Sequence, residues 1–326
     1  MNLDRLFRPA SVAVVGATDR PGSYGGQTLV NLHAIGYPGR VWGVNPNRAE
    51  ALGHPCYPTL AELPGIPDAV VVAVPAPGVP EVIEQAGVLG CGGAVVYGAG
   101  FAESAGGADL QRELAIAARR HDFPVCGPNC DGIVAMHSRA ALWGDALDPN
   151  EAGAVALISQ SGNLAVNALA TRRGLRFHTV IASGNQAVLS AADYLEFLAS
   201  DSGVRSVALY LEDDGWGPDL CDGLAACALA AIPVVVLKVG TSTAGAQAAA
   251  AHSAALAGDQ RVFRALLEEA GAVWAHDVHD LLELAKTLAT RRPRATTGAG
   301  PEPVHGLAIM TCSGGDSAQA ADEAGL

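Results

Sequence analysis

Short runs of β-branched residues alternate with stretches of helical length along most of this chain, and that alternation constrains the fold more than any other feature. In the first third, Ser11 to Val15, Val41 to Asn45, Ala69 to Val74, Ala94 to Tyr97 and Phe123 to Cys126 read as strands. They are apolar on both faces, as parallel strands covered by helices on two sides must be. Between them Tyr24 to Ile35, Val79 to Leu89 and Asp109 to Arg120 have helical length, with Leu110 and Leu114 on one face. A doubly wound parallel-sheet α/β domain is therefore expected over residues 1–143. A Gly/Pro/Asp-rich passage, Gly144 to Gly153, interrupts the pattern before a second alternation begins. Its strands are Ala154 to Ile158, Thr179 to Ala182, Ser206 to Leu211, Val234 to Val239 and Ala272 to Trp274. Its helices fall near Asn163 to Arg173, Ala191 to Ser200, Pro218 to Ala230, Gln260 to Ala270 and Asp280 to Thr290. Pro218 suits a first helical turn and Gly271 a helix stop, so a second doubly wound domain is expected over 153–291.

Residues 292–306 have linker composition, and Leu307 to Thr311 reads as a new strand leading into a turn at Ser313, Gly314 and Gly315. The stretch 307–326 is thus the incomplete start of a further α/β domain. One strand, a turn and part of a helix cannot bury a core, so the chain is expected to be a piece of a longer protein or to pair with another subunit.

Composition narrows the function classes. Half of the 326 residues are apolar, and glycine and alanine are abundant, as in tightly packed α/β layers. A formal charge of -13 disfavours nucleic acid, because counterion release needs clustered Lys and Arg. The longest apolar run, Leu224 to Leu237, contains Pro233 and falls short of the roughly 20 residues that cross a bilayer. Val12 to Ala17 is too short for a signal-peptide core and runs into Asp19, Arg20 and Pro21. A cytoplasmic location without a membrane span follows. The seven cysteines form no CxxC pair, which disfavours a disulfide framework or a zinc site, and no metal ligands are assigned.

The chemistry-bearing segments all follow strands. Gly16-Ala17-Thr18-Asp19-Arg20-Pro21-Gly22-Ser23-Tyr24-Gly25-Gly26 links the first strand to the first helix, where backbone N–H groups and the helix dipole can hold a pyrophosphate. The spacing is longer than GxGxxG, and the second strand ends in Asn45-Pro46 where a dinucleotide fold places an acidic ribose-binding residue, which argues against NAD. Val74-Pro75-Ala76-Pro77 and Gly98-Ala99-Gly100-Phe101 end later strands on the edge where open α/β sheets bind ligands, and Gly127-Pro128-Asn129-Cys130 follows the fifth. Gly and Pro after a strand are also ordinary loop formers. In the second domain Ser159-Gln160-Ser161-Gly162-Asn163 offers two hydroxyls and several N–H groups at a helix terminus, either as a phosphate cradle or as a simple Ser N-cap. His252 stands in the alanine-rich run 248–258; a neutral imidazole can attack phosphorus, and Glu212 is a candidate to orient the ring. From chemistry alone the alanines favour an ordinary His on a short helix.

In this order the segments resemble the NDP-forming acyl-CoA synthetases, a family that includes ADP-forming acetyl-CoA synthetase and, more distantly, the succinyl-CoA synthetase alpha subunit. The resemblance rests on Ser11-Val-Ala-Val-Val-Gly-Ala17, Val44-Asn45-Pro46, Ala73-Val-Pro-Ala76, Gly127-Pro-Asn-Cys130, Leu157-Ile-Ser-Gln-Ser-Gly162 and the His252 segment, and covers nearly the whole chain. It implies a Rossmann-like CoA-binding domain, with CoA at Gly16, Ala17, Thr18, Gly22, Ser23, Tyr24, Gly25, Asn45, Pro46, Val74, Pro75, Ala76, Gly98 and Ala99, and Asn129 and Cys130 near the thiol. It implies a flavodoxin-like ligase domain in which an acyl phosphate phosphorylates His252, Glu212 stabilises that ring, and Ser159, Ser161, Gly162 and Asn163 bind phosphate. ADP or ATP with Mg2+ would sit on an ATP-grasp domain or subunit outside these residues, in an oligomer. The family's Ser-His-Thr-Gly around the nucleophile is here Ala251-His252-Ser253-Ala254, a glycine replaced by a helix-favouring alanine. Two rival readings are a CoA-binding regulatory or scaffold module without phosphotransfer, and a nicotinamide-dependent oxidoreductase.

Overall fold

The computed structural model describes residues 1–213, 217–240, 260–290 and 314–323. A short helix α1 (Asp4–Phe7) leads into β1 (Ser11–Val15), α2 (Tyr24–Ala34) and β2 (Arg40–Val44). There follow β3 (Glu50–Ala51), β4 (His54–Tyr57), β5 (Ala69–Val72), α3 (Val79–Val88), β6 (Ala94–Val96), α4 (Ala108–Arg120) and β7 (Val125–Cys126). All five residues of β1 are buried, because β2 and β5 pair with it on either side and helices cover both faces. The seven-stranded order is β3-β4-β2-β1-β5-β6-β7, parallel except for the β3/β4 hairpin. That hairpin is absent from the sequence reading: Glu50–Ala51 is too short to show a period, and Leu52 and Gly53 both take positive φ to close the turn.

The second half supplies β10 (Val155–Ser159), α5 (Gly162–Leu169), β11 (Phe177–Ala182), α6 (Ala191–Ala199), β12 (Ser206–Leu211), α7 (Gly217–Leu229), β13 (Val234–Lys238) and β14 (Val273–Trp274). Helices Gln260–Glu269 and Val278–Thr290 flank β14. Pro218 sits second in α7, where its missing N–H costs nothing, and Gly271 takes φ +72° just past Gln260–Glu269, as the sequence predicts. The sheet order is β14-β13-β12-β10-β11-β8-β9, where β8 is Gly132–Ala135 and β9 is Ala140–Trp143. Its parallel part has the 2-1-3-4-5 order of flavodoxin-like folds.

The fold class stands, with one change: both sheets are mixed rather than wholly parallel. Strands β8 and β9 follow the first domain's last strand in sequence, yet β8 pairs antiparallel with β11 and β9 with β8, so they extend the second sheet. Helix α2 packs on β9, and Asn31, almost fully buried, donates to Trp143 O (2.9 Å) and Asp145 O (2.7 Å). The bond to the buried Trp143 carbonyl contributes roughly 1 kcal/mol net, and more if lost, because that carbonyl would remain buried. A second seam is the segment after β11, where Asn185, Ala187 and Leu189 donate their N–H groups to Pro128, Gly127 and Val125 carbonyls. Residues Met1–Arg291 accordingly form one unit. In the remainder, helix Gly314–Glu323 is described; the expected linker 292–306 and the strand Leu307 to Thr311 lie outside the described residues.

Candidate functional site

Both sheets reverse their strand order at one point, and ligands of open α/β sheets bind outside the carboxyl ends of the strands there. In the first sheet the reversal lies between β1 and β5. Gly16 leaves β1 at φ +89°, and a Cβ there would overlap Ala73 O; one on Gly25 would overlap Gly16 O. Backbone thus meets backbone at the start of α2, a closeness only glycine permits. Ser23 caps α2, its hydroxyl accepting from Gly26 N (3.3 Å) and donating to Arg20 O (2.7 Å). Thr18 Oγ1 accepts from Arg20 N, and the Asn45 amide donates to Ala17 O (2.8 Å) and accepts from Asn47 N (2.9 Å). The polar side chains of this turn therefore brace it.

In the second sheet the reversal lies between β10 and β12. Ser159 is fully buried; its Oγ donates to Ser161 O (2.7 Å) and accepts from Ser161 N (3.1 Å), so it shapes the turn without facing the cleft. Ser161 Oγ caps α5 by accepting from Leu164 N (3.4 Å). The N–H groups of Gly162 and Asn163 have no protein acceptor among the described residues. Gln160, quoted in the motif but given no role by the sequence reading, ties the two strand ends together. Its Oε1 accepts from Glu212 N (2.6 Å) and Asp213 N (2.8 Å), and its Nε2 donates to Asp213 O (3.0 Å). Lys238 Nζ donates to Glu212 O (2.7 Å) from the next strand.

The second of these edges opens on a cleft of about 830 Å³ that the first half also lines. The structure brings Tyr24, Ala99, Asn129 and Cys130 from the first half together with Ser161, Gly162, Asn163 and Glu212 from the second. Gly16, Ala17, Thr18, Gly22, Ser23, Gly25, Asn45, Pro46, Val74, Pro75, Ala76 and Gly98 do not line it; they lie on the first sheet's own edge. His252 lies outside the described residues.

Asn129 takes φ +54°, its N–H donating to Gly98 O (2.9 Å) and its Nδ2 to Asn185 Oδ1 (3.2 Å). Asn185 in turn donates to Gln111 Oε1 (3.0 Å) and to Glu103, whose other oxygen accepts from Gly100 N (2.5 Å) and Phe101 N (3.0 Å). Burial pushes the Glu103 carboxyl up, but these donors outweigh it and hold the group below the usual range. Burial first, then Cys126 and Asp131, hold the Cys130 thiol well above its ordinary pKa, and it donates to Val96 O (3.3 Å). Cys130 is therefore a neutral wall residue and a poor nucleophile. Asp131, beside it, is also raised, by burial and by Asp145. Asn185 and Asp131 escaped the sequence reading because the groups their side chains meet are distant in the chain, and Glu103 because its bond to Asn185 is; a Gly-Asn turn at Gly184-Asn185 after a strand was the one local signal.

Residues 10–136 match the family described as CoA binding domain, and residues 152–288 the succinyl-CoA ligase like flavodoxin domain. The chain is 32% identical over 324 residues to the alpha subunit of acetate–CoA ligase [ADP-forming] II of Pyrococcus furiosus, covering 98% of this chain and 68% of that one. It belongs to the ADP-forming acetate–CoA ligase family. Acetate–CoA ligase [ADP-forming] I of Archaeoglobus fulgidus is 36% identical over 98% of this chain, which spans 45% of that protein's length. A dinucleotide-forming acetyl-coenzyme A synthetase 1 of Ca. Korarchaeum cryptofilum, solved with phosphate and ADP, superposes with a TM-score of 0.81 at 33% identity, over 88% of this chain and 62% of that one. The chain is thus the family's alpha-subunit-like, CoA-binding and ligase portion. Among the described residues no helix is long and apolar enough to cross a membrane.

Proposed function

We propose that this chain forms the CoA-binding and phosphohistidine-bearing part of an NDP-forming acyl-CoA synthetase. The net reaction, run toward synthesis, converts acid, CoA and nucleoside triphosphate to acyl-CoA, nucleoside diphosphate and phosphate. One observation carries this reading: the N–H groups of Gly162 and Asn163, without protein acceptors among the described residues, open onto the same cleft as Glu212, Asn129 and Cys130. A helix terminus of this kind neutralises phosphoryl oxygens, on which phosphoryl transfer chiefly depends.

CoA binds along the first sheet's edge, where glycine backbone at Gly16 and Gly25 admits a pyrophosphate, and its thiol reaches the Asn129–Cys130 loop. In the reverse, triphosphate-forming direction, an oxygen of phosphate seated on α5 attacks the acyl-CoA carbonyl carbon, the C–S bond breaks, CoA leaves as its thiol, and an acyl phosphate remains in the cleft. A neutral nitrogen of His252 attacks phosphorus; the N–P bond forms as the P–O bond to the acyl oxygen breaks, and the carboxylate leaves with that electron pair. Glu212, held by Gln160 and Lys238 through its backbone, accepts a hydrogen bond from the other ring nitrogen. ADP or ATP with Mg2+ is bound by an ATP-grasp domain or subunit that receives the phosphoryl group. On this reading residues 1–143 serve CoA, 153–291 serve phosphoryl transfer, 292–306 link, and 307–326 begin a further domain of a cytoplasmic, oligomeric enzyme.

The test supplies radiolabelled phosphate with an acyl-CoA and looks for acid-labile, base-stable label on the chain. Label is expected in the wild type and absent in His252→Ala. Retention in that variant refutes the assignment, whereas an unlabelled wild type that still binds CoA favours a binding module.

A further inference from the structure

The residue after Cys130 places a carboxyl group where the proposed function needs an anion. Asp131 is half-buried in the cleft wall. A Cβ on Gly162, the first residue of α5, would overlap Asp131 Oδ2 and lie 3.2 Å from its Cγ. The backbone is pinned at this position, since Asp131 O accepts from Gly144 N (2.9 Å). Yet neither carboxyl oxygen accepts a hydrogen bond among the described residues; the Asp131 side chain touches the helix terminus without capping it.

The charged group that acts on it is another carboxylate. Asp145 approaches from the loop after β9, Cys130 and Tyr97 from the first sheet, Tyr24 from α2, and Glu212 and Asp213 stand across the cleft. Arg119 is the one cationic side chain among the described residues that line the cleft. Burial and Asp145 both favour the protonated form of Asp131. An anion at this terminus meets the N–H groups of Gly162 and Asn163, free among the described residues, and a second negative charge in contact with it opposes its entry.

We propose that Asp131 gates the anion site by its protonation state. Neutral, its O–H donates to an oxygen of the phosphoryl group seated on Gly162 and Asn163; ionised, it repels that group. Anion entry is then coupled to uptake of one proton, and affinity falls as pH rises. The inference rests on α5 being the phosphate end of the site.

Sulfate is a suitable probe, because it mimics phosphate without titrating near neutrality. Titration calorimetry on the whole chain at pH 5.5 and pH 8, in buffers of different ionisation heat, reads affinity and proton uptake together. The wild type is expected to bind more weakly at the higher pH and to take up protons on binding. Asp131→Asn, which keeps the shape and a donor, is expected to bind with nearly the same affinity at both pH values and without proton uptake. Asp131→Ser, smaller and uncharged, should behave alike if Asn perturbs the fold. Equal pH dependence and equal proton uptake in all three proteins overturn the role of Asp131 alone. Sulfate binding to none of them removes the anion site itself, and with it the basis of the proposed function.

Discussion

The strongest structural expectation concerns Gln160, whose amide ties the ends of β10 and β12. Gln160→Leu removes one acceptor from two N–H groups, those of Glu212 and Asp213, and one donor from Asp213 O. Each bond contributes about 1 kcal/mol net. Gln160 and its partners are half-buried, so water can reach the freed groups, and the expected loss is nearer to about 2 kcal/mol than to the full total. For the unit Met1–Arg291 that corresponds to a fall in Tm of roughly 3 °C, read by scanning calorimetry. Hydrogen exchange supplies the local readout: the Glu212 and Asp213 amides should exchange faster, while those in the centre of β10 should not. Gln160→Glu keeps an acceptor for both N–H groups but loses the donor and adds a charge beside Glu212, so an intermediate loss is expected. A Gln160→Leu protein with wild-type Tm and unchanged exchange at residues 212 and 213 would refute the reasoning.

At the first switch point, Gly25→Ala should cost about 1 to 3 kcal/mol, because the new methyl overlaps Gly16 O and the backbone must shift. Its Tm should fall and CoA binding weaken in titration; a wild-type Tm would show that the turn has room. Asp68 accepts from Arg5 Nε (2.6 Å) and Ala10 N (2.8 Å), and although burial pushes its carboxyl up, these donors hold it below the usual range. A carboxylate depressed in the folded state stabilises above its unfolded value of about 4 and loses that contribution as pH falls through the folded value. Asp68→Asn should therefore lower the denaturant midpoint at pH 7 more than at pH 3; an equal loss at both would exclude the linkage.

The segments that read clearly in sequence are those whose signal is local. Ser11–Val15 and Ser206–Leu211 are apolar runs with one period and recognisable stops, and both appear with the expected bounds. Tyr24 to Ile35 is legible in the same way, because helical length and spacing lie within one stretch, and the helix ends one residue short, at Ala34. The role of His252 entered through resemblance rather than spacing, since its alanine surroundings suit any short helix.

By itself the sequence determined two α/β alternations and the placing of glycine turns and hydroxyls after their strands, because backbone preference and apolar period act over a few residues. Tertiary structure decided the rest. Strands β8 and β9 belong to the second sheet only because β11 offers them an edge. Gln160 reaches 52 residues along the chain to Glu212, and Asp131 meets Gly162 only because α5 starts there. Contacts of that kind depend on which surfaces the two sheets bury against each other, and no local run of residues encodes them.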